Sequence, residues 1–257
     1  MDVSILSYCK PYHRYTLALC ILSASLPALA GPPLATEDPG ILGAGEWEVI
    51  AATSASSSGN VDTYQVPMLD ISLGIIEDKL QIAAAYPYVY IDSDDGSSDS
   101  EFGNLEIGAK WRFWNEGKLQ LALAPVYSFG VTRANAIKGV GDEGDVALIP
   151  VAAEYQLDPA WRINTMLAYA SAENARDQWE YGVALAHSIT SRWELLFEFA
   201  GASDTDFNDD SLNVRAGFDF ALSDRLHLLF SAATGLREAR DENELDYDVY
   251  FAAQWFL

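Results

Sequence analysis

The chain has 257 residues, 38 acidic against 15 basic, for a formal charge of −23, and half of its residues are hydrophobic. That balance excludes nucleic acid as an expected partner, because phosphate binding needs a basic surface. The two cysteines, Cys9 and Cys20, both fall in the first twenty residues, so the remaining chain has no thiols for a disulfide framework.

The first thirty residues read as a secretory leader. Lys10 and Arg14 make it basic, Tyr15 to Leu26 is mostly apolar, and Ala28-Leu29-Ala30 has the small-x-small pattern that signal peptidase cuts. The apolar run is too short to anchor in a membrane. Leu19 before Cys20 argues against a lipoprotein site, which wants a small residue there. Cleavage after Ala30 leaves 37 acids and 13 bases. Residues 46–257 then form one domain, and residues 31–45 are an N-terminal segment that either hangs in the periplasm or plugs that domain.

From residue 45 onward the chain alternates with a period of two, the signature of β-strands. The stretch GNLEIGAKWRFWNEGKLQLALAPVYSFG is the clearest case. Leu105, Ile107, Ala109, Trp111 and Phe113 share one parity, while Glu106, Lys110 and Arg112 share the other. Asn115-Glu116-Gly117-Lys118 turns the chain, and the alternation restarts at Leu119. The pattern predicts about twelve strands, at 45–53, 62–75, 80–91, 104–114, 119–131, 146–157, 161–171, 179–189, 193–201, 212–222, 226–235 and 246–257. Many approach the roughly nine to eleven residues that a tilted strand needs to cross a bilayer.

The connections alternate in kind. Those at 76–79, 115–118, 158–160, 190–192 and 223–225 are tight. Those at 54–61, 92–103, 132–145, 172–178, 202–211 and 236–245 are longer, polar and mostly acidic. Outer-membrane barrels have this asymmetry, with short periplasmic turns and long outer loops. Six of seven tryptophans (Trp47, Trp111, Trp114, Trp161, Trp193, Trp255) fall near tight turns or chain ends. Tyr86, Tyr88, Tyr90, Tyr127, Tyr169, Tyr181 and Tyr247 gather toward the loops. Two aromatic belts around an aliphatic middle match two membrane interfaces. The expected fold is all-β: a transmembrane, antiparallel, up-and-down barrel of about twelve strands in a bacterial outer membrane. Its partners would be outer-membrane lipid and lipopolysaccharide, the barrel-assembly machinery during insertion, and a small-molecule solute. The last strand, DYDVYFAAQWFL, ends in the manner that machinery reads, with Phe256 one place from the end.

Short motifs carry a family resemblance. Thr36-Glu37-Asp38-Pro39-Gly40 and Gly45-Glu46-Trp47-Glu48 resemble the N-terminal signature of an outer-membrane transporter family labelled after the MetA pathway of phenol degradation. Gly103 to Phe113 is similar to that family's mid-chain strand. The resemblance implies an outer-membrane barrel with a transport role and implies no specific substrate.

On the inward face, Lys110, Arg112, Glu154, Arg162, Glu194, Glu198, Arg215 and Asp219 are the candidate functional residues. Glu154 should face Arg162 or Asn164, and Glu198 should face Arg215. Such charges either form a selectivity zone or fill a narrow barrel with ion pairs. Alanine and glycine on that face favour an open path. Pro67, Pro87, Pro125 and Pro150 lie within strands, where each removes a ladder donor, and they pair off as 67 with 87 and 125 with 150. Ordinary bulges account for them most simply; the sharper reading is two weak places through which an apolar solute leaves sideways.

DSDDGSSDSE lacks the spacing of a calcium loop, so no metal or other cofactor is expected. After the leader only His187 and His227 remain, and neither aligns with a serine, so no catalytic residues are expected. The function read from sequence is passive uptake of small solutes, with aromatic or other apolar compounds as candidates. A structural or adhesive barrel using acidic loops is the alternative, and a lipid-modifying enzyme a weaker one.

Overall fold

The computed structural model describes residues 33–94, 96–207, 209–237 and 245–257. The leader and residues 238–244 of the last acidic loop lie outside them. The strands are β1 (Trp47–Ser58), β2 (Val61–Ile76), β3 (Leu80–Ser93), β4 (Ser98–Phe102), β5 (Leu105–Glu116), β6 (Leu119–Leu123), β7 (Val126–Phe129), β8 (Val146–Gln156), β9 (Trp161–Ala172), β10 (Gln178–Ser188), β11 (Trp193–Asp204), β12 (Asp210–Ser223), β13 (Leu226–Arg237) and β14 (Leu245–Phe256). β4 and β5 are two halves of one strand, since β3 pairs with both. β6 and β7 are likewise halves of one strand, broken at Ala124-Pro125 and paired along both lengths by β5 and β8. Twelve antiparallel strands result, and β1 pairs with β14 to close the barrel. Closure leaves no unpaired strand edge, which hydrocarbon does not tolerate.

The two parities part as the alternation predicts. Leu69, Ile71, Ile107, Trp111, Leu167, Phe197 and Phe199 face outward and exposed. Ile50, Ala52, Leu229, Tyr250 and Ala252 face inward and pack together. An apolar outer surface on this scale far exceeds what a monomer in water tolerates. At the tight-turn end Trp193 stacks on Phe220 (4.4 Å) and Trp161 on His187 (3.9 Å). At the other end Tyr169 meets Trp179 and Tyr86 meets Phe102.

Two expected loops are strand instead. β1 runs on to Ser58 and β2 starts at Val61, so 54–61 holds only a two-residue turn with Gly59 at φ 60°. β3 likewise continues to Ser93 and β4 begins at Ser98, within the expected loop 92–103. The backbone ladder does not depend on side-chain polarity, so the serine-rich ends stay paired beyond the apolar zone. The outer segment 130–145 carries a short helix, α1 (Arg133–Ile137), and folds inward. Its Val140 is buried against Val89 and Ile91, and the Asp142 N–H donates to Asn104 Oδ1.

Glu154 aligns with Asn164 and Glu198 with Arg215, as expected. His187 aligns with Trp161 on one side and Leu195 on the other. The loop between β9 and β10 closes asymmetrically: Ala170 pairs with Gln178, so Ser171 and Ala172 extend past the last rung and the register slips by two.

Candidate functional site: the barrel interior

The interior is occupied by the chain's own N-terminal segment. Residues 33–46 run through the lumen before β1, and the wall is built to hold them. Ser231 Oγ donates to the Pro33 carbonyl (2.8 Å). The Glu198 carboxylate accepts the Ala35 and Thr36 N–H groups (3.1 and 2.6 Å). Lys110 Nζ meets Glu37 Oε1 at 2.7 Å and Asp38 Oδ2 at 3.8 Å. Leu42 N–H donates to Gln81 Oε1, and Gly45 and Glu46 exchange backbone hydrogen bonds with Gly74. The strap therefore touches β13, β11, β5, β3 and β2, spanning the lumen from one side to the other.

The strap gives the small inward residues a different meaning. A Cβ at Gly182 would lie 2.1 Å from Thr36 Oγ1, and one at Gly74 would lie 2.0 Å from the Gly43 carbonyl oxygen. These glycines make room for the strap, where sequence reasoning took small residues for an open path.

All eight candidate charges sit inside and are paired. Arg162 binds both oxygens of Glu194 (2.5 Å each) and reaches Glu154 at 3.3 Å. Gln120 links Glu154 to Arg112, which also holds Asp78 at 2.8 Å. Arg215 meets Glu198 (3.4 Å), Asp248 (2.6 Å) and Ser231 (3.1 Å). Asp219 pairs with His227 at 2.8 Å. The arrangement is a filled ion-pair lattice that runs from Arg112 on β5 and Gln120 on β6 across the β8–β14 side. The sequence did not single out Asp78, Gln120 or Asp248, and it did not place Glu37 and Asp38 opposite Lys110; only Asp248 and Gln120 had a usable signal, their inward parity.

The β1–β5 side is looser. There the strap and wall enclose a chamber of about 110 Å³. Glu37, Glu48, Asp70 and Lys110 give it polar corners; Ile50, Ala124 and Val126 give it apolar walls. Gln254 Nε2 donates to Glu48 Oε2 at 2.6 Å. Glu48 and Asp70 lie on the inward parity of β1 and β2 and escape sequence reasoning because neither has an opposite charge across a rung.

Pro67 and Pro87, and Pro125 and Pro150, lie near each other across neighbouring strands. Met68 aligns with Pro87, next to Pro67, where β2 bulges against both neighbours. Pro125 interrupts β6 and β7 beside Pro150, whose carbonyl accepts the Ala124 N–H (3.0 Å). The Pro125 carbonyl accepts Ala109 N–H and the Pro87 carbonyl accepts Gly103 N–H, each at 3.0 Å. The breaks are thus stitched through carbonyls, and Ala124 and Val126 put the second break against the chamber.

At the outer rim, Tyr127 donates its hydroxyl to Asp145, which also accepts the Gly130 N–H (2.9 Å). Tyr169 does the same for Asp177 (2.7 Å), which accepts the Ala172 N–H (3.1 Å). These hydrogen bonds hold both carboxyls below the usual carboxylate range. Among the described residues no three His, Cys, Asp or Glu side chains stand in a metal-ligating group. His187 stacks on Trp161, and its Nδ1 meets the Ala160 carbonyl at 3.3 Å.

Residues 57–242 match the family model described as the MetA pathway of phenol degradation. The chain belongs to that family. The chain is also similar in structure to an outer membrane channel from Pseudomonas putida F1. The TM-score is 0.71 at 13% identity, over 87% of this chain and 100% of that one. It resembles the NanC porin (TM-score 0.58, 7% identity, 81% of this chain and 99% of that one). It also resembles the translocator domain of the autotransporter NalP from Neisseria meningitidis (TM-score 0.54, 11% identity, 81% and 88%). At these identities the likeness is one of fold. No curated protein matches the chain in sequence.

Proposed function

We propose that the protein is an outer-membrane channel for passive uptake of small solutes, of the size of a single aromatic ring, with the strap 33–46 as its plug. The observation that carries this reading is the chamber: a closed barrel with an apolar outside holds, beside its own N-terminal segment, a mixed polar and apolar space of about 110 Å³. Roughly 150 Å³ accommodates a benzene-sized guest in a sealed cavity, so a single ring enters this smaller space as the strap yields. The family's phenol-degradation label supports aromatic solutes. Outer-membrane lipid, lipopolysaccharide and the assembly machinery are the partners that such a barrel requires.

The test is flux through the mature chain refolded into liposomes. Uptake of small aromatic solutes above empty vesicles, raised by removing residues 31–42, is the expected result. Folded barrels as tight as empty vesicles, with or without the strap, would overturn it. Ala124 and Val126 at the chamber favour a sideways exit past Pro125 for the most apolar solutes. Replacing Pro125 and Pro150 by valine should then slow uptake of apolar solutes selectively; unchanged uptake would sink that route.

A further inference from the structure

The chamber is chemically one-sided. Its single cation, Lys110, is neutralised by the strap's Glu37 and Asp38 at 2.7 and 3.8 Å. Glu48 and Asp70 have no cationic partner among the described ion pairs, and Asp70 Oδ1 is buried without a hydrogen-bond partner. Glu106 stands in the same inward row as Asp70, across Ala85 of β3, and adds to the negative potential there. A further observation is independent of the acids. Tyr250 is 8% exposed, packs with Ile50 of the chamber wall, and its hydroxyl has no hydrogen-bond partner. Buried polar atoms of this kind are rare, because each one left unpaired is costly.

We infer that the chamber is a binding site for a small amphiphilic cation, an organic ammonium with a compact apolar body. The ammonium supplies three donors and a positive charge to Asp70 and Glu48, which line the chamber. The body lies on Ile50, Ala124 and Val126. Charge-assisted hydrogen bonds to carboxylates supply the discrimination. A carboxylate solute of equal size meets uncompensated Glu48 and Asp70 and is rejected. The inference rests on the uptake reading above, for which it names a substrate class.

Three probes of matched shape separate the possibilities: benzylamine, benzyl alcohol and benzoate. Binding is measured by saturation-transfer NMR on the mature chain in nanodiscs, and flux of the same solutes by liposome swelling. Benzylamine should bind at least tenfold more tightly than benzoate, roughly the factor expected for one hydrogen bond to a charged group. Asp70→Asn with Glu48→Gln should bring benzylamine down to the level of benzyl alcohol, while Asp206→Asn in an outer loop leaves it unchanged. Equal binding of the three probes, or a benzylamine preference that survives in the double variant, overturns the inference. The wild-type ranking decides even if the double variant fails to fold. Flux without any head-group preference would remove this site and keep the channel. Carboxylate-dependent binding without flux would keep the site and remove the channel.

Discussion

At the scale of single residues, the interior charges are held by geometry that permits few substitutions. Arg162 is 8% exposed and binds Glu194 through two oxygens while touching Glu154. Replacing it with Met leaves two buried carboxylates without their cation. Breaking a buried pair in this way costs about 3–5 kcal/mol. The expected outcome is a lower urea midpoint for Arg162→Met in phospholipid vesicles, with Glu194→Gln in the same chain recovering part of the loss. Equal midpoints for Arg162→Met and the parent would show that water hydrates these carboxylates. The outer rim answers to pH instead. Hydrogen bonds from Tyr127 and Gly130 depress the Asp145 carboxyl. A depressed carboxyl contributes its tether above the ordinary carboxylate range and loses it as pH falls through the lowered value. The protection factor of the Gly130 amide, its exchange relative to the free-peptide rate at the same pH, should therefore hold at neutral pH and fall only under strongly acidic conditions. In Tyr127→Phe the fall should come at a higher pH.

At the scale of elements, the strap against β10 is a contact that limits sequence. A Cβ at Gly182 would lie 2.1 Å from Thr36 Oγ1, so a side chain there must push Thr36 and the strap aside. Valine suits a strand intrinsically, so Gly182→Val should still form the barrel and displace the strap. Single-channel conductance in a planar bilayer should rise relative to the parent, and removal of residues 31–42 should produce a matching rise. A folded Gly182→Val barrel with parental conductance would mean that the strap does not set the pore. This contact also marks where sequence reading stops. The strands were legible because burial on one face and lipid on the other impose a period of two, residue by residue. Glu198 opposite Arg215 was readable from turn positions alone, and Glu154 was narrowed to Arg162 or Asn164, of which the rung is Asn164. The strap has no period, and its partners lie up to 198 residues away, as with Pro33 and Ser231. Nothing local in TEDPG says which wall it will meet. Gly182 and Gly74 looked like spare room for the same reason. Asp70 was hidden differently: its parity was readable, but an acid without a visible partner across the rung gives a sequence reader nothing to pair it with.

At the scale of the whole molecule, the decisive asymmetry is between two kinds of outside. Leu167 at mid-height on β9 is 52% exposed and Leu236 at the outer end of β13 is 54% exposed. In water the two positions are equivalent, and lysine at either would cost little. In a bilayer they differ. Lysine on the lipid face costs about 2–4 kcal/mol near the midplane and about 0–1 kcal/mol near the interface. The alternation, the aromatic belts and the closed ladder all require the first position to lie in hydrocarbon and the second to lie at or above the headgroups. Unfolding in urea from phospholipid vesicles reads the difference directly. Leu167→Lys should lower stability by several times the loss seen for Leu236→Lys. In detergent micelles, whose surface deforms around a charge, the gap should narrow. Two equal and small losses in vesicles would mean that the apolar belt does not face lipid. The inward chamber and the strap would then need a different setting from the outer membrane that the fold implies.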